Sequence, residues 1–220
     1  MSELRDAAAV GPGVIDTLTA GGVAAVFEAA GRRGLIDVDL VQVVPGTRVA
    51  GVARTVRCGQ DDNRAVHEAM TLVRPGEVLV LTMPEPAPVA LIGELLATQA
   101  KVAGAAGLLV DAAVRDVDEL RELGLPIWAR WLRVRGATKR ERGSLDVSVR
   151  VGGATVDPGD VVVLDADGAV VVARGSAAEV ATATRSRMEK ETRLRARLDA
   201  GEFSYDLHGL RAQDESAGSH

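Results

Sequence analysis

Arg115 and Asp116 stand side by side just beyond an apolar run, Leu108 to Asp111, and the segment Gly93-Glu94-Leu95-Leu96 opens a helical pattern ahead of that run. A glycine that opens a helix leaves the next amides free, and a helix N-terminus favours a bound anion. A buried strand that ends before Arg115 and Asp116 delivers both into a loop at its carboxyl end, where open α/β sheets place ligands. An arginine fork can hold a carboxylate, and an adjacent aspartate can ligate a hard divalent cation. Taken alone, the spacing favours Asp116 capping the helix Val117 to Leu123 and Arg115 standing on the surface.

The elements that must position these residues can be read from periodicity. Val14 to Arg33 is helical, with an apolar face at Ile15, Leu18, Val23, Val26 and Phe27 that is interrupted at Gly21-Gly22. Thr47 to Arg57 reads as a strand packed on both faces, and the polar turn Gln60 to Asn63 leads a helix through Met70. The apolar run Val78 to Leu81 reads as a covered strand, and a proline-rich loop, Pro84 to Pro88, precedes the helix Gly93 to Ala103. Leu108 to Asp111, Asp116 to Leu123 and Pro126 to Trp131 then complete a strand-helix-strand-helix-strand series, the signature of parallel α/β units.

Beyond a basic loop the pattern changes to short strands, Val147 to Val151, Ala154 to Val156, Val161 to Leu164 and Ala169 to Ala173, joined by hairpin turns. Asp165-Ala166-Asp167-Gly168 is one of these turns; it lacks the spacing and terminal glutamate of a calcium loop. A long charged helix, 176–200, follows, with Glu189/Arg193 and Glu191/Arg195 at the favourable four-residue spacing, and Gln213 to His220 reads as a mobile tail. One domain is expected over residues 1–212.

The 220 residues carry a net charge of −5 and only 2% aromatic side chains, which argues against a nucleic-acid partner needing a basic face and stacking surfaces. The single cysteine, Cys58, excludes an intrachain disulfide and a CxxC zinc site. Met1 to Asp16 has no basic region before a long apolar core, and no apolar run approaches a membrane span, so a cytoplasmic protein without membrane partners is expected.

At these same residues the chain resembles the RraA-like superfamily, and within it the class II 4-hydroxy-4-methyl-2-oxoglutarate / 4-carboxy-4-hydroxy-2-oxoadipate aldolases. The resemblance runs from about Gly46 to Leu210 and rests on a joint pattern. It takes in Asp62-Asn63 and His67, Pro75-Gly76-Glu77, Gly93-Glu94-Leu95-Leu96, Val110-Asp111 with Val114-Arg115-Asp116, Gly152-Gly153, Pro158-Gly159-Asp160 and Asp165 to Gly168. It implies an α/β fold of the β/β/α swivelling-domain type (phosphohistidine-domain-like) with a C-terminal helical extension.

The resemblance also implies a site for a pyruvoyl group. Gly93, the amides of Leu95 and Leu96, and Arg115 would bind the pyruvate carboxylate, and Asp116 would directly ligate Mg²⁺ or Mn²⁺. Glu94, Glu28 and, from a neighbouring subunit, Glu191 would hold metal waters or move protons. The implied activity is retro-aldol cleavage of a 4-hydroxy-2-oxo diacid to pyruvate, with oxaloacetate decarboxylation through the same enolate. A homotrimer or a dimer of trimers is implied with it, because a long helix carrying Glu191 has little reason to fold back on its own sheet.

By physics alone, Glu28 could be the polar face of its helix and Glu191 an ion-pair partner in a charged one. His67 reads as structural or surface. The cluster Arg130, Arg133, Arg135, Lys139, Arg140 and Arg142 could steer an anionic substrate or be a solvated loop. Two departures from the family pattern stand out. Ala112 replaces a usual glycine and Pro84 to Pro88 a glycine-bearing loop, which opens the choice of substrate beyond the pyruvoyl end. The rival function is a non-enzymatic regulator that binds a protein partner such as RNase E; those proteins look shorter and lack the C-terminal helix with its glutamate.

Overall fold

Strand and helix alternate through the middle of the chain because covered apolar runs are separated by helical patterns and glycine or proline turns. A computed structural model describes residues 10–217. Along the chain lie α1 (Pro12–Ala29), β1 (Val41–Gln42), β2 (Val49–Arg57), α2 (Arg64–Met70), β3 (Glu77–Thr82), β4 (Ala90–Ile92), α3 (Glu94–Val102), β5 (Gly107–Val114), α4 (Val117–Leu123) and β6 (Ile127–Leu132). The hairpin half follows with β7 (Ser144–Leu145), β8 (Val149–Val151), β9 (Ala154–Val156), β10 (Val161–Asp165) and β11 (Gly168–Val172). The helices α5 (Ala177–Asp199), α6 (Ser204–Leu207) and α7 (Leu210–Ala217) close the chain.

The fold is mixed α/β. One sheet of nine strands runs β1-β6-β5-β3-β2-β10-β11, with β4 beside β5 and β7 beside β2. Pairing is parallel from β2 through β3 and β5 to β6, and antiparallel where β10 joins β2 and β11. Three strands separate β6 from β10, about 19 Å on a flat sheet at ~4.8 Å per strand. Yet the Trp128 indole on β6 donates to the Asp165 carbonyl of β10 at 2.8 Å. The sheet therefore curls into a nearly closed barrel.

Period-two alternation decides what fills it. Val78 and Val80 of β3, Leu109 of β5 and Val162 and Leu164 of β10 point inward around Trp128, and the β8–β9 hairpin adds Val149, Val151 and Val156. Their neighbours Leu79, Leu81, Leu108 and Val110 point outward under α2, α3 and α4. Val161, Val163 and Val170 pack on α1 and the start of α5. Arg54 of β2 is buried at the edge of this packing, forked onto Glu77 at 2.7 and 3.0 Å, with Asp146 at 3.1 Å.

Several expectations change in detail. The short strands β1, β4 and β7 give no periodic signal, and β5 runs on to Val114, so Arg115 leaves the strand directly. The expected mobile tail is helical through Ala217, as α7; residues 218–220, and residues 1–9 of the N-terminal reading, lie outside the described residues. The long helix does fold back at first: Ala177, Val180, Ala181 and Thr184 of α5 are buried against the layer that holds α1. Only its later turns stand clear. The expected Glu191/Arg195 pair is replaced by Arg187–Glu191 at 2.8 Å, one helical turn the other way. Asp165 to Gly168 is a hairpin turn, as expected. Among the described residues no helix is long and apolar enough to cross a membrane.

Candidate functional site

The parallel strands β4 and β5 end together, and the loops that leave them form one pocket. Ile92 of β4 pairs with Val114 of β5, and the Arg115 amide donates to the Ile92 carbonyl at 3.1 Å. Gly93 and the Arg115-Asp116 pair thus meet at one end of the sheet, although 21 residues separate Gly93 from Arg115. The pocket, about 190 Å³, is lined by Gly93, Leu95, Leu96, Arg115 and Asp116, and on the facing side by Asn63, His67, Gly136, Ala137 and Lys139.

Asp116 has a left-handed backbone, φ 59° and ψ 48°, at the cap position of α4, and its side chain makes no capping bond there. Its Oδ2 instead accepts from the Glu94 amide of α3 at 3.0 Å, and the Arg115 guanidinium lies 3.6 Å away. The capping reading left open above is therefore excluded for α4: the carboxylate crosses to the N-terminus of the other helix. The Leu95 and Leu96 amides lie in the first turn of α3, where no intrahelical acceptor exists. Gly93 is extended at φ −135°, and a Cβ there would collide with the Asp116 carboxylate and come within 3.1 Å of Arg115 Nε. A Cβ on Gly136 would come within 2.8 Å of Arg115 Nη1. Both glycines leave room for the Arg115 and Asp116 side chains where they stand.

The facing wall is held by Asp62, which is fully buried between β2 and α2. Its Oδ2 accepts from Thr138 Oγ1 and the Arg140 amide, each at 2.5 Å, and its Oδ1 from the Arg64 amide at 2.8 Å. Burial pushes this carboxyl up, but Thr138 and the Arg140, Arg64 and Glu141 amides outweigh it and hold it down at about 2. The backbone adds Asn63 N to Thr138 O and Ala90 N to Arg135 O, so the 135–140 segment is tied to α2 and β4. Burial, reinforced by the Asp62 charge, pushes the neighbouring Cys58 thiol up to about 12, so it is inert. Burial and then the Lys139 charge lower His67.

The remaining expected residues lie elsewhere in this chain. Glu94 begins α3 and its Oε1 accepts from Thr98 Oγ1 at 3.0 Å, without lining the pocket. Glu28 pairs with Arg32 at 3.1 Å on α1, and Glu191 with Arg187 on α5; neither lines the pocket. Of the basic cluster only Lys139 does, while Arg130 is taken by the buried Asp111 at 2.5 Å. Ala112 is fully buried in the outer core and does not line the pocket. Asn63, Gly136, Ala137 and His67 were given no site role by the sequence. The one available signal was the Asp62-Asn63 pair at a helix start.

Among the described residues no three His, Cys, Asp or Glu side chains converge as a metal cage. The donor set here is one half-exposed carboxylate, Asp116, with Oδ2 committed to Glu94 and Oδ1 open. That fits Mg²⁺ or a similar hard cation, which binds through one or two carboxylates and keeps several waters, and it does not fit a structural zinc.

The chain matches the family model described as RraA-like, Aldolase/RraA, over residues 5–171. A curated relative from Halalkalibacterium halodurans, named "Putative 4-hydroxy-4-methyl-2-oxoglutarate aldolase", is 35% identical over 153 residues, 69% of this chain and 73% of its own. Among solved structures, an uncharacterized protein from Pseudomonas syringae pv. tomato superposes with a TM-score of 0.79 at 25% identity, covering 94% of this chain and 96% of that one. Streptomyces coelicolor RraAS2, described as an unusual member of the RNase ES inhibitor RraA protein family, gives 0.75 at 28% identity, covering 86% and 98%.

Proposed function

The chain belongs to the RraA-like family, and on that premise we propose that it is a divalent-metal-dependent carbon–carbon lyase that releases pyruvate from a 4-hydroxy-2-oxo diacid and decarboxylates oxaloacetate. The observation that carries the reading is the position of Asp116: its carboxylate leaves its own helix uncapped and sits over the N-terminus of α3, beside Arg115, in one pocket. Capping α4 has no use for that arrangement, whereas a 2-oxo acid with its cation would use all of it.

The Leu95 and Leu96 amides and the Arg115 fork would hold the substrate carboxylate as paired donors. Arg115 would also face the 2-oxo oxygen, where negative charge collects as the bond to the neighbouring carbon breaks, and a fixed cation there lowers the barrier. Asp116 would hold Mg²⁺ or Mn²⁺, which when bound supplies Lewis acidity toward the 2-oxo group. The hydroxyl proton would pass to a carboxylate base, and a proton would return to the carbon freed by cleavage to give pyruvate. Glu28 and Glu94 do not line the pocket in one chain, and neither does Glu191. The proposal therefore includes a trimer or dimer of trimers in which Glu191 of the partner subunit completes the site. Leu95, 82% exposed and lining the pocket, and Val134, 85% exposed two residues before the lining Gly136, are apolar side chains that such a contact would cover.

The test is pyruvate release from oxaloacetate and from 4-hydroxy-2-oxo diacids, with Mg²⁺ or EDTA, for the wild type, Asp116→Ala and Arg115→Lys. We expect activity only with the cation. Asp116→Ala should fall to background, and Arg115→Lys should lose at least a hundredfold in kcat/KM, because an ammonium lacks the planar fork. A wild type active in EDTA, or an Asp116→Ala protein with its full rate, would overturn the mechanism.

A further inference from the structure

Asn63 carries the one buried side-chain polar atom without a hydrogen-bond partner among the described residues, its Oδ1. The residue is 7% exposed and lines the pocket opposite Arg115 and Asp116. Its orientation is not arbitrary: Nδ2 donates to the Leu91 carbonyl at 3.0 Å, a pairing the oxygen could not make, so the oxygen is the atom left over.

An asparagine at a helix start ordinarily spends that oxygen on the first-turn amides. Asn63 occupies the cap position of α2 yet makes no side-chain cap bond: its side chain is committed to Leu91, the Val66 amide goes to its own carbonyl, and Asp62 Oδ1 takes the Arg64 amide. The remaining oxygen accepts hydrogen bonds and cannot donate. A carboxylate or keto oxygen cannot satisfy it; an O–H can.

The other polar groups of the pocket sort the same way. The amides of Leu95 and Leu96, the Arg115 guanidinium and the Lys139 ammonium are donors suited to carboxylate and keto oxygens. The neutral acceptors facing them are Asn63 Oδ1 and one nitrogen of the His67 imidazole, and of these Oδ1 is the buried one left without a partner. Resting on the function proposed above, we propose that Asn63 is a specificity-determining residue whose Oδ1 accepts a hydrogen bond from the substrate's hydroxyl group. The pocket then selects hydroxylated 2-oxo diacids over diacids that lack the hydroxyl.

The probes are 4-hydroxy-2-oxoglutarate and 2-oxoglutarate, which differ at that hydroxyl, titrated calorimetrically in EDTA, where the proposed cleavage does not run. The wild type should bind the hydroxy acid about tenfold more tightly, the scale of one hydrogen bond to an otherwise unsatisfied buried group. Asn63→Ala should bind both alike. Because that variant also loses the bond to Leu91, Asn63→Leu, of similar branched shape, is the second variant, and melting temperatures are compared for both. A wild type indifferent to the hydroxyl overturns the proposal, as that oxygen then holds only water. So does a variant that weakens both acids equally, which marks a structural role. Pyruvate release with Mg²⁺ is scored separately: hydroxyl preference without cleavage defeats the function proposed above and leaves Asn63 standing, and cleavage without preference does the reverse.

Discussion

At Asp116 the backbone turns left-handed, and that turn decides where the carboxylate goes. The conformation costs on the order of 1 kcal/mol for a residue with a Cβ, and aspartate is among the few that tolerate it. Gly93 is the other half of the arrangement. We expect Gly93→Ala to fold but to lose at least tenfold in pyruvate release, because the added methyl occupies the space of the Asp116 carboxylate and crowds Arg115. An unchanged rate would show that the carboxylate can sit elsewhere. Asp62 offers a test that does not depend on turnover. Its folded pKa of about 2 lies below the ordinary 3.8, so its contribution is complete above pH 4 and is lost as pH falls toward 2. That shift corresponds to about 2 kcal/mol. Asp62→Asn should therefore be less stable at pH 7 by roughly that amount, and its stability should decline less than the wild type's between pH 4 and 2. Urea melts at several pH values check both.

At the scale of elements, α1 shows how a helix can be bent by a remote side chain. Gly22 lies at φ 72° and ψ 178° inside it, and the Val23 amide freed by the kink donates to Asp165 Oδ2 at 2.9 Å. The other oxygen of Asp165 accepts from the Asp167 amide at 2.9 Å and so closes the β10–β11 turn. One buried carboxylate thus joins the helix layer to the hairpin. Asp165→Ala should leave both amides unpaired and cost about 2–6 kcal/mol, at about 1–3 kcal/mol for each unsatisfied group. A denaturant titration would measure it. A loss under 0.5 kcal/mol would mean that water replaces the carboxylate. The glycine pair that interrupts the helical pattern was visible in the sequence; its partner, 142 residues away, was not.

For the whole molecule, the question is which surfaces complete the pocket. Glu191 stands on the part of α5 that has left the fold, half-exposed and paired to Arg187. If it serves a neighbouring site, Asp116→Ala and Glu191→Gln protomers should each be inactive alone and regain part of the wild-type rate when mixed after subunit exchange. Of the two kinds of mixed boundary in a head-to-tail ring, one then pairs an intact Asp116 with an intact Glu191. A mixture that stays inactive while light scattering shows mixed trimers would remove Glu191 from the reaction.

Much of the fold was legible because its signals are local. Apolar runs of strand length, helical periodicity and hairpin turns placed β2, β3, β5, β6, β9, β10 and β11 and the helices α1 to α5 within a few residues. Gly93, Arg115 and Asp116 stood out because a helix start and a strand end are visible in residue order. The strands β1, β4 and β7, of two, three and two residues, are too short to carry a period and exist because neighbours supply their hydrogen bonds. The direction of the Asp116 carboxylate, the spare oxygen of Asn63 and the wall that Asp62 holds depend on amides far away in sequence. The amino-acid order determined which chemical groups were available and on which kinds of element. Only the curled sheet, by bringing the ends of β4 and β5 beside the loop before β7, decided which donors and acceptors found partners and which were left without one.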